Sequence, residues 1–255
     1  MELIVVLALL PSIVLAWWIY RQDKLRKEPF SALALAFVAG ILSAVFTLLV
    51  HEVLQAFYWD QLIDSTPFRR AFFSAALIEE LSKMLMFFWF IWKRDSFDER
   101  FDGIVYMCYI GLGFAFLENI LYLSEAQDVF SVFVGRAIFA VPGHFLDAVL
   151  MGYFLGKARF ASDLVQSRAF VFFGLFVAVL AHGCYDYLLM KAEALFYENN
   201  GMAYLLNIGF YVFDFLLWRI GLKHLRHMQT LDSRDGFFRR ERPEDNDWRR
   251  RPPVV

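Results

Sequence analysis

The chain has 255 residues, a net charge of −2, and is 59% hydrophobic and 19% aromatic. Soluble domains average about 45–50% apolar residues, so this composition excludes an ordinary soluble domain and points to an all-α, polytopic membrane protein. The near-neutral charge implies no nucleic-acid partner, and Cys108 and Cys184, each in an apolar run, form neither a disulfide framework nor a metal signature.

Seven apolar spans are predicted, at about 3–20, 30–50, 70–92, 104–123, 131–155, 169–190 and 203–222. The first lacks a preceding basic region and is followed by Arg21, Lys24, Arg26 and Lys27, the reverse of a cleaved signal peptide. The connections 21–29, 93–103, 157–168 and the segment 219–255 hold twenty of the 25 Lys and Arg residues. The alternate connections hold only Arg69, Arg70 and Lys191. Basic loops stay on the cytoplasmic side, so the expected arrangement is N-terminus outside and C-terminus inside, in the plasma (inner) membrane. Residues 1–225 read as a transmembrane domain and 226–255 as a charged, disordered cytoplasmic tail, in which His224 and His227 read as surface residues. Ala36, Gly40 and Ala44, and likewise Gly152 and Gly156, form small-residue ridges that let membrane helices approach closely. The outer loop from His51 to Pro67 is aromatic (Phe57, Tyr58, Trp59) and could lie along the interface and gate substrate entry.

Span three carries Glu79, Glu80 and Lys83 at its centre. Each charge inside a span costs about 2.5–3.5 kcal/mol on insertion scales, so intramembrane charges read as function by default. Glu-Glu-x-x-Lys is commonplace on solvated helices; its position in an apolar span is what makes it informative. Lys83 lies one turn from both glutamates and can reach either. Span four adds Glu118 and Asn119, span five Arg136, His144 and Asp147, and span six His182 and Asp186. At 1.5 Å rise per residue, Glu79 and Glu80 lie about 13–15 Å below the outer end of their span, Glu118 about 7 Å, His182 about 12 Å and His144 about 17 Å. All fall in the outer half of a core about 30 Å thick, so four helices can bring acids and bases to one outward-opening pocket. Asp186 at i+4 can orient His182, and the same logic allows Asp147 to serve His144. Arg136 reads as neutralising the cluster, and Asp214 as a stray acid without a partner. His51-Glu52 is not a zincin motif, because Gln55 stands where the second histidine belongs.

Glu79-Glu80-Leu81-Ser82-Lys83, Phe114-Ala115-Phe116-Leu117-Glu118-Asn119, Gly143-His144 and His182-Gly183-Cys184-Tyr185-Asp186 resemble, in order and separation, the signature blocks of the PrsW family of bacterial intramembrane proteases. Phe101-Asp102-Gly103 also matches ahead of the second block. The resemblance covers about residues 70–190 and extends distantly to CAAX prenyl endopeptidases, which also use a glutamate pair and histidines from neighbouring membrane helices. It implies Glu79, Glu80, His182, Glu118 and His144 as essential residues. It further implies cleavage of single-pass or membrane-anchored proteins, with an anti-sigma factor as the family's best known substrate. Phe145-Leu146-Asp147 departs from the pattern, which expects small or apolar residues there.

The expected chemistry is peptide hydrolysis at the outer membrane boundary. Glu80 or Glu79 takes a proton from water; His144 or His182 stabilises the oxyanion or protonates the leaving amine, and Asn119 is a further donor. Two cofactor readings stay open: none, or zinc held by His144, His182 and Glu118 with a water position free. The rivals from other classes are a proton-coupled transporter, in which the same groups form a relay, and a non-catalytic membrane scaffold. The transporter predicts access from both faces, the protease from one.

Overall fold

The structure, a computed structural model, describes residues 2–57 and 65–241, with side chains to Arg234. The expected tail beyond Glu241, and Tyr58 and Trp59 of the outer loop, lie outside the described residues. In chain order the main helices are α1 (Glu2–Gln22), α2 (Phe30–Ala56), α3 (Leu77–Phe90), α4 (Arg100–Glu125), α5 (Val141–Arg159), α6 (Leu164–Leu195) and α7 (Asn200–Glu241). There are no strands among the described residues, as a bilayer requires of an open chain: only a helix satisfies its own backbone hydrogen bonds there. Among the described residues, six helical stretches are long and apolar enough to cross a membrane: Glu2–Gln22, Phe30–Ala56, Arg100–Glu125, Val129–Arg159, Leu164–Leu195 and Asn200–Arg234. The third predicted span differs from these. It is helical throughout but broken in register, with the turn Pro67–Arg69, a π-helical stretch Arg70–Ala76, and only then the 14 residues of α3.

The bundle is built around α4, which is buried on nearly every side from Phe101 to Ala115. α2 and α5 pack against it through small residues. A Cβ on Gly40 would stand 2.0 Å from the Ile110 carbonyl oxygen, and one on Gly113 would stand 2.0 Å from that of Phe37. Across α4, Gly103 meets Gly152 and Gly156 of α5 with backbone atoms 2.6–2.7 Å from where its Cβ would be. The ridges seen in the sequence are therefore helix crossings at backbone contact. α1 contributes only the stripe Ala8, Pro11, Ser12 and Ile19 to the interior, tied by the Ser12 hydroxyl donating to the Leu112 carbonyl at 3.2 Å. Leu3, Val6, Leu10, Ile13 and Trp17 face outward, as suits a lipid-facing helix.

α7 reaches further than expected. It runs helical to Glu241, and the turns up to Asp232 pack on the bundle through Leu225, Met228 and Asp232. Asp232 caps the start of α4, accepting from the backbone N–H of Arg100 at 3.2 Å and of Phe101 at 2.8 Å. His227 bonds the Tyr153 hydroxyl at 2.9 Å, and the His224 ring packs edge-on to Tyr153. These two histidines lie at the surface as expected, His227 exposed and His224 half-buried, and both also join α7 to α5.

At this same end of the bundle, Glu28 in the α1–α2 connection accepts a hydrogen bond from the Tyr106 hydroxyl, and its N–H donates to Asp23 at 3.3 Å. Burial, with like-charged neighbours, pushes Glu28 up to about 8, Asp23 up to about 6 and Glu99 up to about 7. A carboxyl raised in the folded state holds its proton more tightly there than in the unfolded chain. Its contribution is complete below the ordinary carboxylate range and is lost as pH rises through about 6–8. The thermal midpoint of the detergent-solubilised protein is therefore expected to fall between pH 5 and pH 9, and Glu28→Gln to flatten that slope most. A midpoint that rises over this range would contradict the assignment.

Candidate active site

Two π-helical turns introduce the site. Arg70–Ala76 leads into α3, and Arg136–Ala140 follows the short helix Val129–Gly135 and leads into α5. Such turns add a residue to the helical repeat and commonly mark functional positions. The second ends just before Pro142, whose nitrogen cannot donate to the preceding turn. Beside them opens a cavity of about 760 Å³ whose polar lining includes Glu79, Glu118, His144, His182, Asp147 and Asp186. The acids and imidazoles foreseen on four separate helices do converge.

Glu79 and Glu80 have different surroundings. Glu79 lines the cavity, and its Oε2 accepts no hydrogen bond, with Lys83 Nζ at 3.6 Å and His182 Nε2 at 3.9 Å. Glu80 is fully buried behind it. Its Oε1 receives the Lys83 ammonium at 2.6 Å and lies 2.9 Å from His182 Nδ1. Lys83 is 1% exposed, sits over the Phe114 ring at 4.1 Å, and also meets His144 Nδ1 at 3.1 Å. An ammonium only donates, so His144 Nδ1 accepts there and its proton sits on Nε2. That Nε2–H donates to Glu118 Oε2 at 2.7 Å. The same Glu118 oxygen takes Arg136 Nη2 at 2.6 Å. One chain of polar contacts thus runs Arg136, Glu118, His144, Lys83, Glu80, His182. At its far end Asp186 Oδ2 stands 3.5 Å from His182 Nε2, as the i,i+4 spacing implied.

Two expectations are corrected and one holds. Asp147 does not serve His144; its Oδ2 lies 3.8 Å from His182 Nδ1, because three residues along α5 it projects toward α6. Asn119 is not a donor to the reacting groups. Its amide N–H reaches back to the Ala8 carbonyl at 3.3 Å and its oxygen takes Arg136 Nε at 2.5 Å, so it anchors Arg136 and α1. Asp214 has a buried oxygen without a partner and stays apart from the site, as its sequence position suggested. Arg136 is more than a neutralising charge: it fixes Glu118 and Asn119 together while lying 4.1 Å over Tyr122. Sequence reading gave no role, once the zincin motif was set aside, to His51, which lines the cavity and meets the Ser74 carbonyl in the first π turn at 2.9 Å. It also passed over Tyr185. Neither carries a spacing signal; only the fold places them.

Glu79, Glu80, His144 and His182 offer donor atoms all within 4.8 Å of one another, a set whose chemistry suits zinc. This differs from the set expected from sequence, since Glu118 orients His144 instead of joining the donors. In this arrangement the set does not fit a metal ion. Lys83 Nζ already contacts Glu80, His144 and Glu79, three of the four donors, from within the cluster.

The comparisons with known proteins agree with one another. The sequence profile described as PrsW family intramembrane metalloprotease matches residues 28–218. The chain is similar to the Protease PrsW of Geobacillus kaustophilus, at 37% identity over 72% of this chain and 78% of the relative. It is similar to that of Clostridioides difficile at 30% identity over 91% and 93%, and to that of Bacillus subtilis at 32% over 87% and 94%. No solved structure matches.

Proposed function

The chain belongs to the PrsW family of intramembrane proteases, a multi-pass protein of the bacterial inner membrane, and from that premise we propose that it cuts membrane-anchored proteins at the mouth of this cavity with Glu79 as the base. The observation that carries the reading is the asymmetry of the glutamate pair. Glu79 lines the cavity, while Glu80 is fully buried behind it and its Oε1 is held by Lys83 and His182.

Glu79 takes a proton from a water, and the resulting hydroxide attacks the scissile carbonyl. His182 turns its Nε2 edge toward Glu79 and Asp186 and is the group placed to meet the oxygen on which negative charge develops. The C–N bond then breaks, and Glu79 returns the proton to the leaving amine. Glu118 holds His144, Arg136 holds Glu118, and Glu80 holds His182, so the reacting groups meet the substrate already oriented. The cavity's location near the ends of α4 and α6, with the positively charged connections at the opposite end, favours cutting at the outer boundary. Regulatory substrates of the anti-sigma type fit this position, because one cut there releases a single-pass protein from its outer portion.

The test is cleavage by the purified full chain in proteoliposomes, using a panel of single-pass polypeptides whose outer juxtamembrane sequences differ. Products whose new termini map to the outer boundary support the proposal. Proton flux across the vesicles without any cleavage would instead identify a transporter.

A further inference from the structure

Taking the proteolytic reading as its basis, we propose that the ammonium of Lys83 is the resident cation of this site, occupying the place a divalent metal would take among Glu79, Glu80, His144 and His182.

The surroundings of the four donors are those of a metal centre. A metal-bound histidine ordinarily gives its second ring nitrogen to a carboxylate that fixes its orientation. Here Glu118 takes His144 Nε2 and Asp186 faces His182 Nε2, leaving both Nδ1 atoms turned inward. Two carboxylates complete the set. What the inward atoms meet is protein. His144 Nδ1 accepts from Lys83 at 3.1 Å, and Glu80 Oε1 bridges Lys83 at 2.6 Å and His182 Nδ1 at 2.9 Å.

Zinc bonds to nitrogen and oxygen donors at about 2.0–2.2 Å. An ion drawing on Glu80 and His144 would stand against the ammonium that contacts both, two cations side by side in a buried site. Lys83 has no ready way out. It is on the same helix as Glu80, 1% exposed, and capped by the Phe114 ring. Swinging it away would leave a buried ammonium and a buried carboxylate unpaired, which is strongly unfavourable. Lys83 does not line the cavity. It is therefore a positioning residue: it balances the glutamate pair, holds His144 in the Nε2–H tautomer, and leaves Glu79 lining the cavity.

The test reads metal directly and needs no substrate. Purified full-length protein is loaded with zinc, dialysed, and its zinc content and zinc-induced thermal shift are measured beside Lys83→Met. Wild type is expected to hold substoichiometric zinc and show no shift, whereas Lys83→Met acquires stoichiometric zinc and a higher thermal midpoint. Stoichiometric zinc in wild type, or a folded Lys83→Met that ignores zinc, overturns the proposal. Should that variant not fold, nitrogen NMR of labelled histidine in wild type decides. A His144 signal showing protonated Nε2 and an accepting Nδ1, unmoved by zinc, supports the ammonium; a zinc-dependent shift refutes it. Chelator-insensitive cleavage is the expected companion result. A protein inactive on every substrate yet zinc-free by these measures would sink the protease reading and leave this one standing.

Discussion

Glu79→Gln is expected to lower the rate of cleavage by about 10²–10⁴-fold, the range typical for removing a general base, while leaving the fold intact. The substitution keeps the side chain's size and the cavity's shape and removes only its proton-accepting capacity. Glu79 makes no short hydrogen bond, and its ion pair with Lys83 spans 3.6 Å, so little structure depends on its charge. The loss should appear in kcat, with substrate binding and the thermal midpoint close to wild type. An active Glu79→Gln would move the base to another carboxylate and refute the assignment of roles within the pair.

Glu80→Gln has a different signature. Glu80 is the partner of a lysine that is itself buried, at 2.6 Å, and also meets His182. Neutralising it leaves the ammonium without its closest counter-charge, and breaking a buried pair in this way typically costs about 3–5 kcal/mol. Both activity and the thermal midpoint should therefore fall. The joint variant Glu80→Gln/Lys83→Met should recover much of the stability, because removing both charges is far less costly than stranding one, yet recover little activity, because His182 and His144 lose their alignment. Turnover and thermal unfolding measured on the same preparations check both halves. If Glu80→Gln left stability untouched while abolishing turnover, Glu80 and not Glu79 would be the reacting carboxylate.

The helical class and the convergence of these side chains were legible because a bilayer makes charge conspicuous. Glu79, Glu80, Glu118, His144 and His182 stood out against runs of Phe, Leu and Ala, and depth arithmetic alone put them in the same half of the bilayer. The pairing among them was not legible. Helical spacing suggested Asp147 beside His144, but which neighbouring helix a side chain meets depends on the rotation of each helix about its axis, and two π turns change that rotation just before α3 and α5. The same cause hid the different surroundings of Glu79 and Glu80, since adjacent residues differ by about 100° around a helix and only the packing tells which lines the cavity. Asn119 was misjudged because its partner, the Ala8 carbonyl, is 111 residues away on a helix with no polar signal of its own. His227 and Asp232 were read as tail because charge density resembles disorder unless a buried partner exists, and Tyr153 and the first amides of α4 are such partners.

The cap that Asp232 supplies comes from 131 residues downstream of Phe101. A ribosome delivers the chain from its beginning, so α4 is made before the acid that caps it and stays without that cap until α7 has followed. Completion of the bundle is thereby tied to the making of α7: a chain that stops before Asp232 has a core whose keystone was never set.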